Sequence, residues 1–420
     1  MTRTDIKPGY KMTKLGWIPE EWEVVILRDI LTKSKLGGNY KNSIEKTNSP
    51  LIKMGNLGRG SIKLDKLEYI TGGEHIEEID LLSQGDLLFN TRNTLALVGK
   101  VAIWNSELPI AYYNSNLMRL EFHSDHIESN YFANYLFNSE KVIGRLFGLA
   151  TGTTSVAAIY TKDLLKIKLV LPPLPEQKKI AQILSTWDQA IEKTQSLIQK
   201  MQDRKKGLMQ QLLTGKKRLP GFSGEWEEYT IDSLFSKTNR YVKWDEEEFY
   251  PLVSIRRRYG GMFKREPLQG KSIGVKKLKT IQKNDFLISK RQVSHGAWVV
   301  VKSDFDGGKV SNEYDCLEIR DETILSPSFW SWFINRKVLT HYAFLDSIGI
   351  HIEKLIFHYS MFLKRLVKIP SSIKEQIAIA QVLTQADQEI RQTQNYLAQL
   401  QQLKKGLMQQ LLTGQKRVVV

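Results

Sequence analysis

The side chains in this chain best equipped for chemistry are cations and amides gathered in stretches punctuated by glycine. In the first half they are Lys53, Asn56 and Arg59, inside Lys53-Met54-Gly55-Asn56-Leu57-Gly58-Arg59-Gly60, then Arg92 and Asn93, then Asn114 and Asn116, then Thr151, Thr153 and Thr154. In the second half they are Arg256, Arg257 and Arg258 ahead of Tyr259-Gly260-Gly261, then Lys264 and Arg265, then Lys290, Arg291, Gln292, Ser294 and His295. A guanidinium can pair in two-pronged fashion with guanine and a carboxamide with adenine, each worth ~1–3 kcal/mol of discrimination. Lysine, serine and threonine suit phosphates, which position a protein on a duplex without reading its sequence. The chemistry on offer is recognition of nucleic acid; the bland alternative is that these are solvated loops of a basic protein. Arg92 and Arg291 end matching segments in the two halves and are the strongest of the set.

Bond-making chemistry leaves no comparable trace. There is no Gly-x-x-x-x-Gly-Lys-Ser/Thr phosphate loop, no Gly-x-Gly-x-x-Gly after a strand, no His-Glu-x-x-His and no Asn-Pro-Pro-aromatic run of the kind an adenine N6-methyltransferase carries. The seven histidines are scattered, His351 and His358 being the nearest polar-helix pair, and no carboxylate pair stands out. The single cysteine, Cys316, sits in an apolar segment, Tyr314 to Ile319, and reads as core packing. No catalytic residue, metal ligand or cofactor site is expected on this chain.

Composition agrees. Sixty-one Lys and Arg face 45 Asp and Glu, a formal charge of +16, which favours a polyanionic partner. One cysteine excludes a disulfide framework within the chain and a Cys-rich zinc site. No run of 18 apolar residues occurs, so no membrane-spanning helix and no membrane partner are expected. The start, Met1 to Pro8, lacks the apolar core of a signal peptide, and a cytoplasmic location follows as the expectation.

Those loops must be carried by something, and the chain is written twice. Residues 176–218 align without gaps to 375–417, with 25 identities in 43 positions; Lys205 to Gly215 recurs unchanged as Lys404 to Gly414. Fainter echoes precede each copy: Glu21-Trp22-Glu23 with Glu225-Trp226-Glu227, Asp86 to Arg92 with Asp285 to Arg291, and the aromatic pattern of Tyr131 to Asn138 with Ser328 to Asn335. The repeated segments are helical. Ile180, Leu184, Trp187, Ile191, Ile198, Met201, Leu208 and Leu212 fall on a heptad seam, as do Ile379, Leu383, Ile390, Leu397, Leu400, Leu407 and Leu411. Prolines mark the starts and Thr-Gly the stops, giving about 39 residues, or roughly 58 Å at ~1.5 Å per residue. The seams are expected to pack on each other. Because a compact domain returns its chain near where it entered, the second helix must run back along the first, antiparallel, with one domain at each end and a pseudo-twofold relation between them. Gly207 and Gly406, inside the helices, suggest a close backbone approach.

The remaining segments read as mixed α and β. Strands are expected at Val24–Leu27, Leu87–Phe89, Val98–Trp104, Leu117–Phe122, Phe286–Ile288 and Trp298–Val301, and helices at Tyr131–Phe147 and Pro327–Tyr342.

At this point a family is recognisable. The Leu-Pro-x-Leu-Pro-Glu-Gln-x-x-Ile-Ala-x-Ile-Leu opening of the first helix, Leu171 to Leu184, and the Lys-Lys-Gly-Leu-Met-Gln-Gln-Leu-Leu-Thr-Gly ending resemble conserved regions of type I restriction-modification specificity subunits. Gly85 to Phe89 and the Gly-Thr-Thr turn, Gly152 to Thr154, resemble motifs of their target recognition domains. The likeness spans the whole duplicated layout. It implies an α+β protein of two similar globular target recognition domains, 1–172 and 219–368, joined by two long antiparallel coiled-coil helices, 173–218 and 369–420. Each domain would read half of a bipartite, asymmetric site in double-stranded DNA, and the coiled coil would fix the unread spacer. Two methyltransferase subunits would dock on the helices and restriction subunits would join for cleavage, so that S-adenosylmethionine, ATP and magnesium belong to partners. One departure stands out: the second half carries Ser347-Ile348-Gly349-Ile350-His351 where the first has Gly-Thr-Thr. The competing readings are a coiled-coil scaffold with protein-binding domains, and a self-contained DNA-modifying enzyme with unrecognised sites.

Overall fold

The computed structural model describes residues 8–349 and 356–419. Most of the opening segment judged above for a signal peptide, with Ile350 and His351, lies outside the described residues. The chain divides into two compact units, Met1–Gln195 with Tyr396–Val420, and Ser196–Asn395. The expected division into domains and helices follows the chain; the compact units cut across it, since each holds the opening half of one long helix and the closing half of the other.

The two long helices are Leu174–Leu212 and Ile373–Leu412, 39 and 40 residues. Pro175 falls in the first turn, where a missing N–H costs no hydrogen bond. Each helix stops at a left-handed glycine, Gly215 and Gly414, both at φ +71°. These glycines also leave room for a neighbour: a Cβ on Gly414 would stand 2.5 Å from Pro19 and 3.5 Å from the Trp22 ring, and one on Gly215 would stand 3.3 Å from the Trp226 ring. The repeated Glu-Trp-Glu triplet and the repeated Thr-Gly stop are thus two sides of one contact. Gly207 and Gly406 are different. A methyl group there would meet nothing within 4 Å, so the close approach expected of them is absent.

In the first unit Ile180, Ala181 and Leu184 share a core with Leu411 and Leu412. Glu176 meets Arg417 at 2.8 Å and Asp188 meets Lys404, so the two stretches run antiparallel. In the second unit Leu212 and Leu213 share a core with Ile379, Ala380 and Leu383. There Glu375 meets Arg218 and Asp387 meets Lys205, the same two pairings with the copies exchanged. Every seam residue named above is buried or half-buried. Burying a leucine or isoleucine contributes about 1.5–3 kcal/mol, against at most ~1 kcal/mol for a partly exposed ion pair. The seam therefore supplies the stability and the charged pairs fix the register.

The globular part of the first unit centres on a five-stranded sheet ordered Leu31–Leu36, Leu117–Phe122, Leu87–Asn90, Val101–Ile103, Gly60–Ser61, antiparallel except for the last pair. In the second unit four antiparallel strands follow the same plan: Phe235–Thr238, Tyr314–Ile319, Phe286–Ser289, Trp298–Val300. The central strand is entered alike in both. Gly85 and Asn284 take left-handed backbone, and Asp86 and Asp285 accept the N–H of Ser83 and Gln282. Asp86 also pairs with Arg119 at 3.1 Å and Asp285 with Arg240 at 2.7 Å. The Gly-Asp-Leu-Leu-Phe stretch is therefore a strand-entry device.

The two segments expected as single helices are each broken in two, into Asn130–Phe137 with Glu140–Leu149, and Pro327–Phe333 with Lys337–Leu345. At the breaks Asn138 and Asn335 donate their amides to the carbonyls of Asn134 and Ser331, an alternative to continued helix. Apolar spacing runs across both breaks and hides them.

Candidate nucleic-acid interface

In the first unit all four polar clusters meet at the end of strand Leu87–Asn90. Thr91 donates both its N–H and its hydroxyl to the carbonyl of Asn116, and Asn114 donates its N–H to Ile52, the residue before Lys53. Arg92–Asn93 pairs with Ala157–Ala158, which pairs in turn with Thr151–Gly152, and the carbonyl of Thr154 accepts the N–H of Leu95. Gly152, at φ +129°, allows the Gly-Thr-Thr turn to close; a Cβ would stand 2.3 Å from the carbonyl oxygen of Val156.

Within this cluster the side chains divide into spent and free. Asn56 is buried; it accepts the N–H of Lys53 and donates to the carbonyl of Lys63, both at 2.9 Å. It holds its loop and is not available to a base. Lys53 is neutralised by Glu68 at 2.8 Å and accepted by Asn42. Asn93, Asn114 and Thr153 use their oxygens on neighbouring N–H groups, and the Thr151 hydroxyl leans on the carbonyl of Ala158 at 3.4 Å. Arg59 and Arg92 are exposed without a side-chain partner among the described residues, Thr154 is exposed, and the Asn116 amide is half-exposed.

The second unit repeats the convergence at the end of Phe286–Ser289. Arg258 donates its N–H to the carbonyl of His295 at 2.7 Å and Tyr259 to that of Gly296 at 3.1 Å, which joins the Arg256–Gly261 turn to the Lys290–His295 segment. Arg258 and Tyr259 are both left-handed, at φ 57°. That conformation costs roughly 1–2 kcal/mol for each L-residue, and the two cross-links and the Tyr259–Thr340 hydroxyl contact hold it. Arg256 lies over the Phe263 ring at 4.5 Å, while Arg257 and Arg258, both exposed, have no side-chain partner among the described residues. Arg291, expected to mirror Arg92, instead grips Glu313 at 2.6 Å, and this hydrogen bond holds the Glu313 carboxyl below its ordinary range. Lys290 is drawn to the carbonyl of Asn312 at 2.6 Å. Arg265, Gln292 and Arg291 line a cleft of about 470 Å³ with Ser289 and Ser311. Ser294 and His295 form a half-buried 3-10 turn, and Lys264 is exposed on the neighbouring hairpin. In place of the Gly-Thr-Thr turn, Ser347–Ile348 pairs with Ile356–Phe357; the tip between them lies outside the described residues.

Cys316 is buried in the strand Tyr314–Ile319, and burial pushes its thiol up to about 12, so it is inert as a nucleophile. Among the described residues no group of three or more His, Cys, Asp or Glu side chains could hold a metal ion, and no helix is long and apolar enough to cross a membrane.

Sequence reasoning missed two sets of residues. Lys63 and Lys100 join Arg59 beside the first cluster; burial and then the charges of Arg59 and Lys63 lower the Lys100 ammonium from its ordinary value. Glu176-Gln177 and Glu375-Gln376 are buried at the helix starts. Gln177 donates to the carbonyls of His126 and Pro172, and Gln376 to those of Ile324 and Pro370. The repeat was the signal for the second set, since both pairs are identical between copies. The first set has no local signal.

Residues 19–201 match the family model for the type I restriction modification DNA specificity domain. The putative type I restriction enzyme MjaX specificity subunit of Methanocaldococcus jannaschii is 27% identical over 433 residues, 98% of this chain and 97% of that one. The MjaVIII specificity subunit of the same organism is 31% identical over 217 residues, half of each chain. Among solved structures, the S subunit of the type I restriction-modification system from M. genitalium matches with TM-score 0.54 at 15% identity, covering 97% of this chain and 99% of that one. The HsdS subunit from Thermoanaerobacter tengcongensis matches with TM-score 0.52 at 16% identity, covering 95% and 98%; at such identities the likeness is one of fold. Residues 19–201 thus match the type I restriction modification DNA specificity domain, and over nearly its whole length the chain is similar to the specificity subunits of type I restriction-modification systems.

Proposed function

We propose that this chain is a specificity subunit of a type I restriction-modification system, that it binds double-stranded DNA through the two loop clusters, one in each unit, and that each cluster reads one half of a bipartite, asymmetric site. The observation that carries this is the convergence of dispersed polar loops at the same end of the same central strand in both units, on a chain of net charge +16. Arg59, Arg92, Arg257, Arg258 and Arg265 have no side-chain partner among the described residues and suit base edges or phosphates. The doubly left-handed Arg258–Tyr259 turn fits the same reading, because strain of this kind gathers at functional sites.

The stretch of helix between the two readers sets the unread gap, and the paired helices give two methyltransferase subunits a place to dock, with restriction subunits joining them. The bond-making then falls to those partners: S-adenosylmethionine chemistry at adenine, and ATP- and magnesium-dependent cleavage. This chain is their non-catalytic guide, working in the cytoplasm where the DNA is.

The test is the N6-methyladenine pattern of DNA from cells that carry this chain with its methyltransferase partner. A split motif that disappears on deletion of this chain alone is the expected result, and exchange of the first half for that of a relative changes one half-motif. Methylation that persists without the chain would refute the reading.

A further inference from the structure

The geometry points to a phosphate-binding site formed by Arg59, Lys63 and Lys100 in the first unit, occupied by an internucleotide phosphate of the duplex; the proposal rests on the DNA-reading function above. The frame is rigid. The buried Asn56 ties the two ends of the Lys53–Lys63 loop together. Gly58 donates its N–H to the carbonyl of Ser61 at 2.9 Å and Lys63 to that of Asn56 at 2.7 Å. A Cβ on Gly58 would stand 2.8 Å from the Ser61 carbonyl oxygen, so the loop closes this tightly only around glycine.

Both lysines border this frame. Lys100 donates its ammonium to the carbonyl of Leu57 at 3.2 Å, and Cε of Lys63 lies 3.5 Å from where the Gly58 Cβ would be. Arg59, the next residue, is exposed at the tip. Among the described residues none of the three forms an ion pair. Several other cations near the clusters are matched: Lys53 with Glu68, Lys237 with Asp315 at 2.7 Å, Arg291 with Glu313. Three like charges gather at this loop, close enough for Arg59 and Lys63 to act on the half-buried Lys100, and repel until an anion arrives. Two compact ammonium groups and one forked guanidinium suit a tetrahedral oxyanion.

The location selects the kind of anion. The carbonyl of Lys100 accepts the N–H of Asn90, two residues before Arg92. The three cations therefore flank the strand end where the loops converge, and a duplex read by Arg92 brings its backbone past them. Contacts of this type position without discriminating.

The test uses the full-length chain and a mixed-sequence duplex titrated from 50 to 200 mM KCl. Lys63→Gln with Lys100→Gln should lower the slope of log affinity against log salt by about 0.9, one phosphate contact, so that the variant loses roughly 3.5-fold less affinity over that range. The melting temperature should hold or rise, and the methylated motif of the assembled complex should not change. An unchanged slope, or an altered motif, overturns the site while leaving the DNA-reading function intact. Failure of the unsubstituted chain to bind duplex overturns both. Competition by inorganic phosphate at matched ionic strength separates the sources: weak competition supports the duplex, and displacement at concentrations comparable to duplex phosphate overturns that assignment.

Discussion

At the scale of single residues, the difference between the two halves lies in which cations are already matched. Arg92 is exposed and unpaired, whereas Arg291 spends its guanidinium on Glu313 at 2.6 Å. Arg92→Ala should therefore weaken binding of the cognate duplex by about 1–3 kcal/mol, roughly a five- to 150-fold loss, with relaxed preference at one position of one half-motif. Arg291→Ala should cost less, since Glu313 must first release it; fluorescence anisotropy on both variants checks the order. From sequence the residue types and their loops could be named, but not which side chains stay free. Lys53, Asn56 and Arg291 look as available as Arg59 and Arg92 until partners 15, 7 and 22 residues away fold onto them. Lys63 and Lys100 were invisible for the converse reason. Neither sits in a glycine-rich run; Lys63 lies across a tight turn from Arg59, and the pairing of Val101–Ile103 with Gly60–Ser61 brings Lys100 to both.

At the scale of elements, the identities between the two copies are explained by contacts. Glu176, Asp188, Lys205 and Arg218 recur as Glu375, Asp387, Lys404 and Arg417, and these eight residues make the four charged pairs across the helices. Heptad spacing was enough to find the seam, and chain geometry to set its direction; the buried Glu-Gln staples needed the coordinates, because a polar pair at a helix start reads as solvated. Arg417→Gln strands a Glu176 carboxylate that is 2% exposed, leaving it only the Trp22 indole N–H. We expect a loss of roughly 2–3 kcal/mol by chemical denaturation, below the 3–5 kcal/mol of a fully buried pair because Arg417 itself is partly exposed. The helix-interior glycines predict the opposite sign. With open space around them, Gly207→Ala and Gly406→Ala should each stabilise the isolated chain by about 0.5–1 kcal/mol. If either variant gains stability yet loses the methyltransferase partner, the glycine serves that partner's approach.

At the scale of the whole molecule, duplication was the most legible feature, because eleven unbroken identities can be read without any structure. Strand order was not legible, since short strands separated by long excursions pair with neighbours far off in sequence. If the helices measure the gap between half-sites, four residues inserted into Leu174–Leu212 add ~6 Å of helix, about two base pairs of DNA. Sequencing of modified DNA should then show a changed gap or no modification, and full modification of the unchanged motif would sink the measuring role. The division of the chain has a further consequence, one for its birth on the ribosome. The second unit is one continuous stretch, Ser196–Asn395, but the first needs Tyr396–Val420 to cover Ile180 and Leu184 and to answer Glu176. Translation usually lets the earliest domain settle first. Here the part made first must wait, its apolar stripe bare, until Tyr396–Val420 emerge, while the part made later is one continuous stretch. Pulse-labelled nascent chains should show protease resistance appearing in that reversed order, and a stalled ribosome should hold a finished second half beside an unfinished first.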